Sequence, residues 1–153
     1  QSILAGMEEF ELILVGNDDG ELSQLRDLTA PNITLKEPVF GEEKRVLFET
    51  CHFFALPSES EGFPVALLEG MAHGLIPMIT DGCNLPEATT EGLAIGIEPT
   101  LSSITEGLET IRQMSSVEIS ERRSASRDFV EKRYSPPVIA AQHAALYHEL
   151  LAT

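Results

Sequence analysis

The sequence predicts an α/β fold built on an open parallel sheet with helices on both faces. Short apolar runs at residues 11–16 (ELILVG) and 76–80 (IPMIT) have the continuous hydrophobicity of parallel strands that are buried on both faces. Stretches of helical length and helical periodicity alternate with these runs. Gly74, Pro99 and the triplet at 135–137 end segments where a helix or strand has to stop. This alternation indicates a parallel sheet that binds ligands at the carboxyl ends of its strands.

The predicted elements follow in order along the chain. Residues 3–9 predict the end of a helix, and the turn at 17–20 precedes a helix that runs to Asp27, with Asp18 or Asp19 as its cap. Further strands are predicted at 32–36, 52–56 and 93–97, helices at 42–51, 65–73, 101–114, 117–134 and 138–151, and a loop with a short helix at 83–87. The 153 residues amount to one domain with a sizeable core.

Composition and charge exclude several classes of protein. The net charge is −15, from 25 acidic and 10 basic residues, which disfavours nucleic acid because its binding depends on Lys and Arg. No apolar run approaches the roughly 20 residues that span a bilayer. Cys51 and Cys83 lie in apolar sequence and indicate reduced thiols in a cytoplasmic protein. The first ten residues lack a signal-peptide pattern and open in mid-helix, so we expect an N-terminally truncated chain.

The most informative stretch is residues 57–81. The strand predicted at 52–56 leads into it, and a polar loop, a helix and a second strand then follow directly on one another. Gly62 allows the loop backbone to approach a ligand closely. Pro64 suits the first helical position because it has no N–H to leave unpaired. The free amides of the first turn and the helix dipole then favour an anion above the loop.

Two carboxylates bracket this loop. Glu61 precedes the helix, and Glu69 lies about one turn inside it among mostly apolar neighbours. A buried carboxylate needs a partner, because burying an unpaired charge is very unfavourable. The alternative is that Glu69 lies on a solvent-facing edge and that Glu61 is an ordinary loop charge. No cluster of residues in the sequence has metal-ligand spacing, and Asp81 either reaches the site or caps a turn.

The stretch resembles the donor site of retaining glycosyltransferases with the two-domain GT-B fold, family four (glycosyltransferase group 1). The resemblance rests on PSESEGFP at 57–64, GLIP at 74–77, LPE at 85–87 and the EX7E pattern of Glu61 and Glu69. It implies the Rossmann-like C-terminal half of the GT-B fold, a nucleoside diphosphate sugar as donor substrate, no metal and no cofactor. It also implies a cytoplasmic enzyme of polysaccharide biosynthesis, peripheral to the membrane in its full-length form.

The resemblance assigns a role to each matching residue. Glu61 faces the donor sugar as the catalytic carboxylate, and Glu69 holds the ribose hydroxyls. The backbone of Gly62, Phe63, Pro64 and Val65 meets the sugar and the diphosphate. Acceptor-only carboxylates suit hydroxyl ligands, and the start of a helix suits phosphate, so the chemistry of the residues agrees with these roles.

The sequence departs from the family in three respects. The basic Arg and Lys pair that the family places at the start of this domain is missing, and so is the N-terminal acceptor domain. The tripeptide at 83–85 replaces the glycines that are frequent in the family, which leaves the sugar specificity open. We therefore expect 1–153 to be a donor-binding domain that is inactive by itself and self-associates through an exposed sheet edge.

Two alternatives to a hexosyltransferase remain. One is a non-catalytic α/β domain that binds a nucleotide or a partner. The other is a sugar epimerase on the same fold, which the two-glutamate pattern fits less well.

Overall fold

The computed structural model describes residues 7–17, 20 and 30–152. Contacts divide the chain into two compact units, Gln1–Leu47 and Phe48–Thr153. Parallel sheets flanked by helices confirm the predicted α/β, Rossmann-like class. Among the described residues, hydrogen bonds join the strands into two sheets, whereas the sequence predicted a single open sheet.

The first unit contains a two-stranded parallel sheet of β1 (Leu12–Val15) and β2 (Ile33–Lys36). Asn32 fixes the entry to β2, because its Nδ2 donates to the carbonyl oxygens of Met7 (3.1 Å) and Phe10 (3.0 Å). Helix α1 (Gly41–Thr50) follows β2 in the chain and contains the boundary between the units.

Two predictions for the first unit need correction. Leu14 is 36% exposed and Val15 43% exposed, so β1 is not buried on both faces; among the described strands it pairs with β2 alone. Glu8 and Glu9 form a turn and not the end of a helix. The rest of that predicted helix, the cap at Asp18 or Asp19 and the helix that runs to Asp27 lie outside the described residues.

The second unit is organised around a three-stranded parallel sheet of β3 (Phe53–Leu56), β4 (Ile76–Ile79) and β5 (Ile95–Gly96), in that order. The central strand, β4, is buried along its whole length. Leu56 pairs with Ile79, so β3 and β4 end side by side. The segments that follow these two strands therefore emerge at the same edge of the sheet.

Five helices complete the second unit, and a 3-10 turn, Asp81–Cys83, follows β4. The helices are α2 (Val65–Ala72), α3 (Pro86–Thr90), α4 (Leu101–Gln113), α5 (Ser116–Tyr134) and α6 (Pro136–Leu151). Helix α6 begins two residues earlier than predicted. Proline is tolerated in the first turn of a helix because the N–H groups there have no helical partner, so the missing N–H of proline costs no hydrogen bond. Ser135 ends α5 and precedes α6, so the chain breaks at this one residue.

The core of the second unit forms where α2 packs against the sheet and against α5. Leu67 and Met71 from α2 are fully buried, and Phe129 from α5 is 5% exposed in the same cluster. Gly70 allows close packing on the sheet, since a Cβ there would lie 2.9 Å from the Phe54 ring. A close-packed interior of this kind fixes the direction of α2, and hence the position of the loop that precedes it.

Candidate functional site

The loop at 57–64 leaves the carboxyl end of β3 and leads into α2. Pro64 is the residue before the first helical one, because Leu68 N–H donates to the Pro64 carbonyl at 3.0 Å. The helix thus begins at Val65, as the predicted range 65–73 has it, and Pro64 lies one residue before the first helical position that it was expected to suit. A buried Pro64 still directs the chain into α2.

The amides of this loop differ in their availability to a ligand. Val65 N–H donates to the Phe63 carbonyl at 2.9 Å, and Pro64 has no N–H, so neither amide is available. Within the described residues, the amides of Gly62 and Phe63 make no hydrogen bond. A Cβ on Gly62 would meet nothing within 4 Å, so space remains above this part of the loop. Of the four residues predicted to contact a ligand through their backbone, Gly62 and Phe63 thus have an N–H that is not already bonded within the described residues, and the contacts themselves stay a prediction.

Glu61 is half-buried and is held by its backbone and its carboxylate. Ser58 Oγ donates to Glu61 Oε1 at 2.6 Å, a short charge-assisted hydrogen bond. Glu61 N–H donates to the Gly82 carbonyl at 2.7 Å, and Asn84 Nδ2 donates to the Glu61 carbonyl. These three hydrogen bonds fix the position of Glu61. The alternative, that Glu61 is an ordinary loop charge, does not require such contacts.

The segment after β4 contacts the loop that follows β3. Thr80 Oγ1 donates to the Ser58 carbonyl, and a Cβ on Gly82 would lie 2.4 Å from the Glu59 carbonyl oxygen. Buried Cys83 donates from Sγ to a β3 carbonyl, that of Leu56, at 3.1 Å. The loops that follow β3 and β4 thus form one connected structure at the carboxyl edge of the sheet.

Sequence reasoning did not select Ser58, Gly82 or Asn84 as site residues. A signal was present at Asn84, since asparagine tolerates the left-handed conformation that it adopts here, with φ 53°. Asp81 is exposed at the start of the 3-10 turn, and its carbonyl accepts from Asn84 N–H at 3.1 Å.

Glu69 lies four residues into α2, between buried Leu68 and Gly70, and is exposed. The helix is buried over much of its surface, as predicted, but the Glu69 side chain belongs to its solvent-facing side. The structure thus places one glutamate half-buried in the loop and the other exposed on the helix. Contact of both carboxylates with one ligand stays a prediction.

The carboxyl end of α5 lies beside the loop. The rings of Tyr134 and Phe63 have their centroids 6.1 Å apart, and Phe63 is 58% exposed. Burial raises the pKa of Tyr134, the carboxylate of Glu87 adds to the rise, and Arg133 opposes it. Arg133 donates to Glu91 at 2.6 Å. Arg133, the neighbour of Tyr134 in the chain, therefore already has a carboxylate partner.

The other end of α2 also contacts α5. Gly74 has φ +82°, and a Cβ there would overlap the Arg127 guanidinium. Glycine is required for this conformation and for this approach, which explains how Gly74 ends the helix. Because Arg127 meets the end of α2 and Tyr134 meets its start, α5 runs antiparallel to α2.

Two further observations concern ligands and membranes. Within residues 7–17, 20 and 30–152, no three His, Cys, Asp or Glu side chains are grouped so that they could hold a metal ion. In the same part of the chain, no helix has the length and apolar character needed to cross a membrane.

The fold and the site define a Rossmann-like α/β domain that presents a fixed carboxylate and the start of a helix at the carboxyl edge of its sheet. The chain belongs to the glycosyl transferases group 1 family, whose profile matches residues 1–111. This match confirms the resemblance that the motifs at 57–87 indicated.

A relative was found in Xanthomonas oryzae pv. oryzae (strain PXO99A), where it is named GDP-mannose:cellobiosyl-diphosphopolyprenol alpha-mannosyltransferase. It is 25% identical to this chain over 160 aligned positions, which cover 99% of the chain and 42% of the relative. The chain therefore spans about two fifths of the length of this relative.

Proposed function

We propose that this chain is the donor-binding domain of a retaining glycosyltransferase that transfers a hexose from a nucleoside diphosphate sugar to an acceptor glycan or lipid. The observation that carries the proposal is the set of three hydrogen bonds that Glu61, directly before α2, makes with Ser58, Gly82 and Asn84. A carboxylate that must face a reacting sugar has to be positioned accurately. An unspecialised surface glutamate has no need of such contacts.

Each group in the site has a distinct role in the proposed complex. Glu61 accepts hydrogen bonds from the sugar hydroxyls, and exposed Glu69 accepts them from the ribose. The amides of Gly62 and Phe63, together with the positive end of the α2 dipole, face the diphosphate. These groups stabilise the charge that develops on the leaving diphosphate without a metal ion.

The rest of the site would come from the remainder of the protein. A net charge of −15 opposes a diphosphate at long range, and Arg133 already pairs with Glu91. We therefore place the compensating Arg and Lys pair, and an acceptor-binding domain, in sequence that precedes this chain. The whole enzyme is proposed to work in the cytoplasm, peripheral to the membrane, in polysaccharide synthesis.

The relative supplies the first substrates to test. Its name gives GDP-mannose as donor and a cellobiosyl diphosphopolyprenol as acceptor. We propose a sugar nucleotide of the GDP-mannose type and a lipid-linked acceptor for the whole protein. The alternative, a non-catalytic domain that binds a nucleotide or a partner, predicts donor binding without turnover.

Transfer of labelled hexose from GDP-mannose and other sugar nucleotides, measured with the full-length protein, tests the proposal. Glu61→Ala should abolish transfer, whereas Glu121→Gln, at an exposed position early in α5, should leave it unchanged. The anomeric configuration of the product, read by NMR, tests retention. Donor binding without transfer in the wild-type protein would favour the non-catalytic alternative.

A further inference from the structure

The loops that follow β3 and β4 are joined by four contacts, and all four involve residues 58–61. Thr80 Oγ1 donates to the Ser58 carbonyl, and Gly82 packs directly beneath the Glu59 carbonyl. Gly82 also accepts from Glu61 N–H, and Asn84 donates to the Glu61 carbonyl. We call Ser58, Thr80, Gly82 and Asn84 the glutamate brace. The brace connects Glu61 to the buried central strand, β4.

Asn84 combines two properties that this position requires. Its φ of 53° and ψ of 36° lie in the left-handed region, and it is the one non-glycine residue with positive φ in the described part of the chain. Asparagine adopts this conformation at a smaller cost than most residues. Unlike glycine, it also carries a side-chain amide, and here that amide reaches the Glu61 carbonyl.

Ser58 acts on the carboxylate itself. Its hydroxyl donates to Oε1 of Glu61, so one carboxylate oxygen is engaged and the orientation of the group is set. Within the described residues, Oε2 has no hydrogen-bond partner and is available to a donor hydroxyl. A carboxylate can accept several hydrogen bonds at once, so the Ser58 contact does not prevent ligand binding.

We propose that Ser58 and Asn84 are positioning residues for Glu61. Ser58 sets the direction of the carboxylate, and Asn84 holds the backbone that carries it. The inference rests on the proposed function, in which Glu61 faces the donor sugar. It assigns to the segment after β4 a part in the reaction even though neither side chain has to touch the substrate.

The structural half of the proposal can be tested on this chain without any substrate. Asn84→Gly keeps the left-handed conformation accessible and removes only the side chain. The variant loses the hydrogen bond from Asn84 to the Glu61 carbonyl, so the loop should open more easily by about the free energy of one hydrogen bond. Amide hydrogen exchange at Glu61, measured by NMR, should therefore become about tenfold faster. Exchange at Met71, buried in α2, should not change. Equal Glu61 exchange in the wild-type and variant chains would overturn the brace.

The catalytic half requires the full-length protein and its kinetic constants. Ser58→Ala and Asn84→Gly should each lower kcat about tenfold, with donor KM changed by less than about threefold, because positioning acts on the transition state more than on binding. Ser58→Thr, which restores the hydroxyl, should recover most of kcat. Unchanged Tm values in the same variants exclude loss of folding as the cause.

The outcomes separate this inference from the proposed function. If the wild-type protein transfers sugar and Glu61→Ala does not, but Ser58→Ala and Asn84→Gly keep full kcat, the positioning role is wrong and the proposed function stands. If the wild-type protein transfers no sugar from any sugar nucleotide, the proposed function falls and the catalytic role with it. The exchange measurement then still decides whether the brace holds Glu61.

Discussion

Tyr134, the last residue of α5, lies against Phe63 in the loop that precedes α2, with the two ring centroids 6.1 Å apart. The contact joins the C-terminal part of the second unit to the loop that carries Glu61. Tyr134 also contacts Phe129 in the core, with centroids 5.7 Å apart. The aromatic pair is thus continuous with the buried cluster, and burial raises the pKa of its tyrosine.

Stability should decrease at alkaline pH through Tyr134. Its pKa in the folded state is raised, first by burial and then by Glu87, so folding favours the neutral phenol. This contribution is complete below the unfolded value of about 10 and is lost as pH rises through the folded pKa. Urea unfolding at pH 8 to 11 should show a steeper decline for the wild-type chain than for Tyr134→Phe. Tyr147→Phe, at an exposed residue in α6, is the control, and equal slopes in all three proteins would contradict the prediction.

Gly82→Ala should be destabilising, because the new Cβ would lie 2.4 Å from the Glu59 carbonyl oxygen and 2.6 Å from that of Ser58. Backbone has to move to accommodate it, at a cost of about 1–3 kcal/mol. Gly62→Ala is the matched control, since its Cβ would meet nothing within 4 Å. Chemical denaturation of both variants measures the difference. A Gly82→Ala variant as stable as Gly62→Ala would mean that the two loops are not in contact.

Ser126→Ala should stabilise the chain. Ser126 Oγ is completely buried in α5 and, within the described residues, has no hydrogen-bond partner. Removal of an unsatisfied buried hydroxyl recovers part of a desolvation cost of about 1–3 kcal/mol. Ser124→Ala, at an exposed position in α5, corrects for the helix propensity of alanine. If the two variants have equal unfolding free energies, Ser126 has a partner in solution, such as a bound water.

The sequence predicted the second unit well because its elements depend on local patterns. The apolar runs of β3 and β4 and the helix between them lie within one residue of their predicted bounds at each end. Helix α5 begins at Ser116, one residue before its predicted start, after a capping box that Ser115 and Glu118 form. Secondary-structure propensity and hydrophobic periodicity are sufficient to predict an element whose formation depends on a few neighbouring residues.

The glutamate brace could not be predicted in this way. The hydrogen bond between Asn84 and Glu61 joins residues 23 positions apart, and it depends on the exact approach of two loops. Neither the composition of a segment nor its hydrophobic periodicity indicates such a contact. The motif predicts Glu61 as a site residue, but the contacts that hold Glu61 in place could be seen only in the structure.

Glu69→Ala should weaken binding of the donor nucleotide to the full-length protein by about 1–3 kcal/mol, the scale of lost hydrogen bonds to a charged group. The reason is the ribose contact proposed for this carboxylate, which is exposed on α2 and accessible to a ligand. Glu121→Ala serves as the control, at an exposed position in α5. Titration calorimetry with GDP or GDP-mannose measures both. An unchanged Kd in Glu69→Ala would make this residue a surface charge only.

Residues 1–153 expressed alone should fold, bind sugar nucleotides weakly and transfer no sugar. Folding follows from the buried core that α2, α5 and the three-stranded sheet share. Weak binding follows from charge. The start of a helix contributes only about 0.3–1 kcal/mol toward an anion at an exposed site. The net charge of −15 opposes that gain, and Arg133 is paired with Glu91. In the proposed enzyme the acceptor-binding domain also excludes water, which strengthens every electrostatic contact in the site.

Thermal shift and sugar release, measured with candidate donors, check this expectation. Micromolar binding with turnover by the chain alone would show that it carries a complete site and needs no second domain.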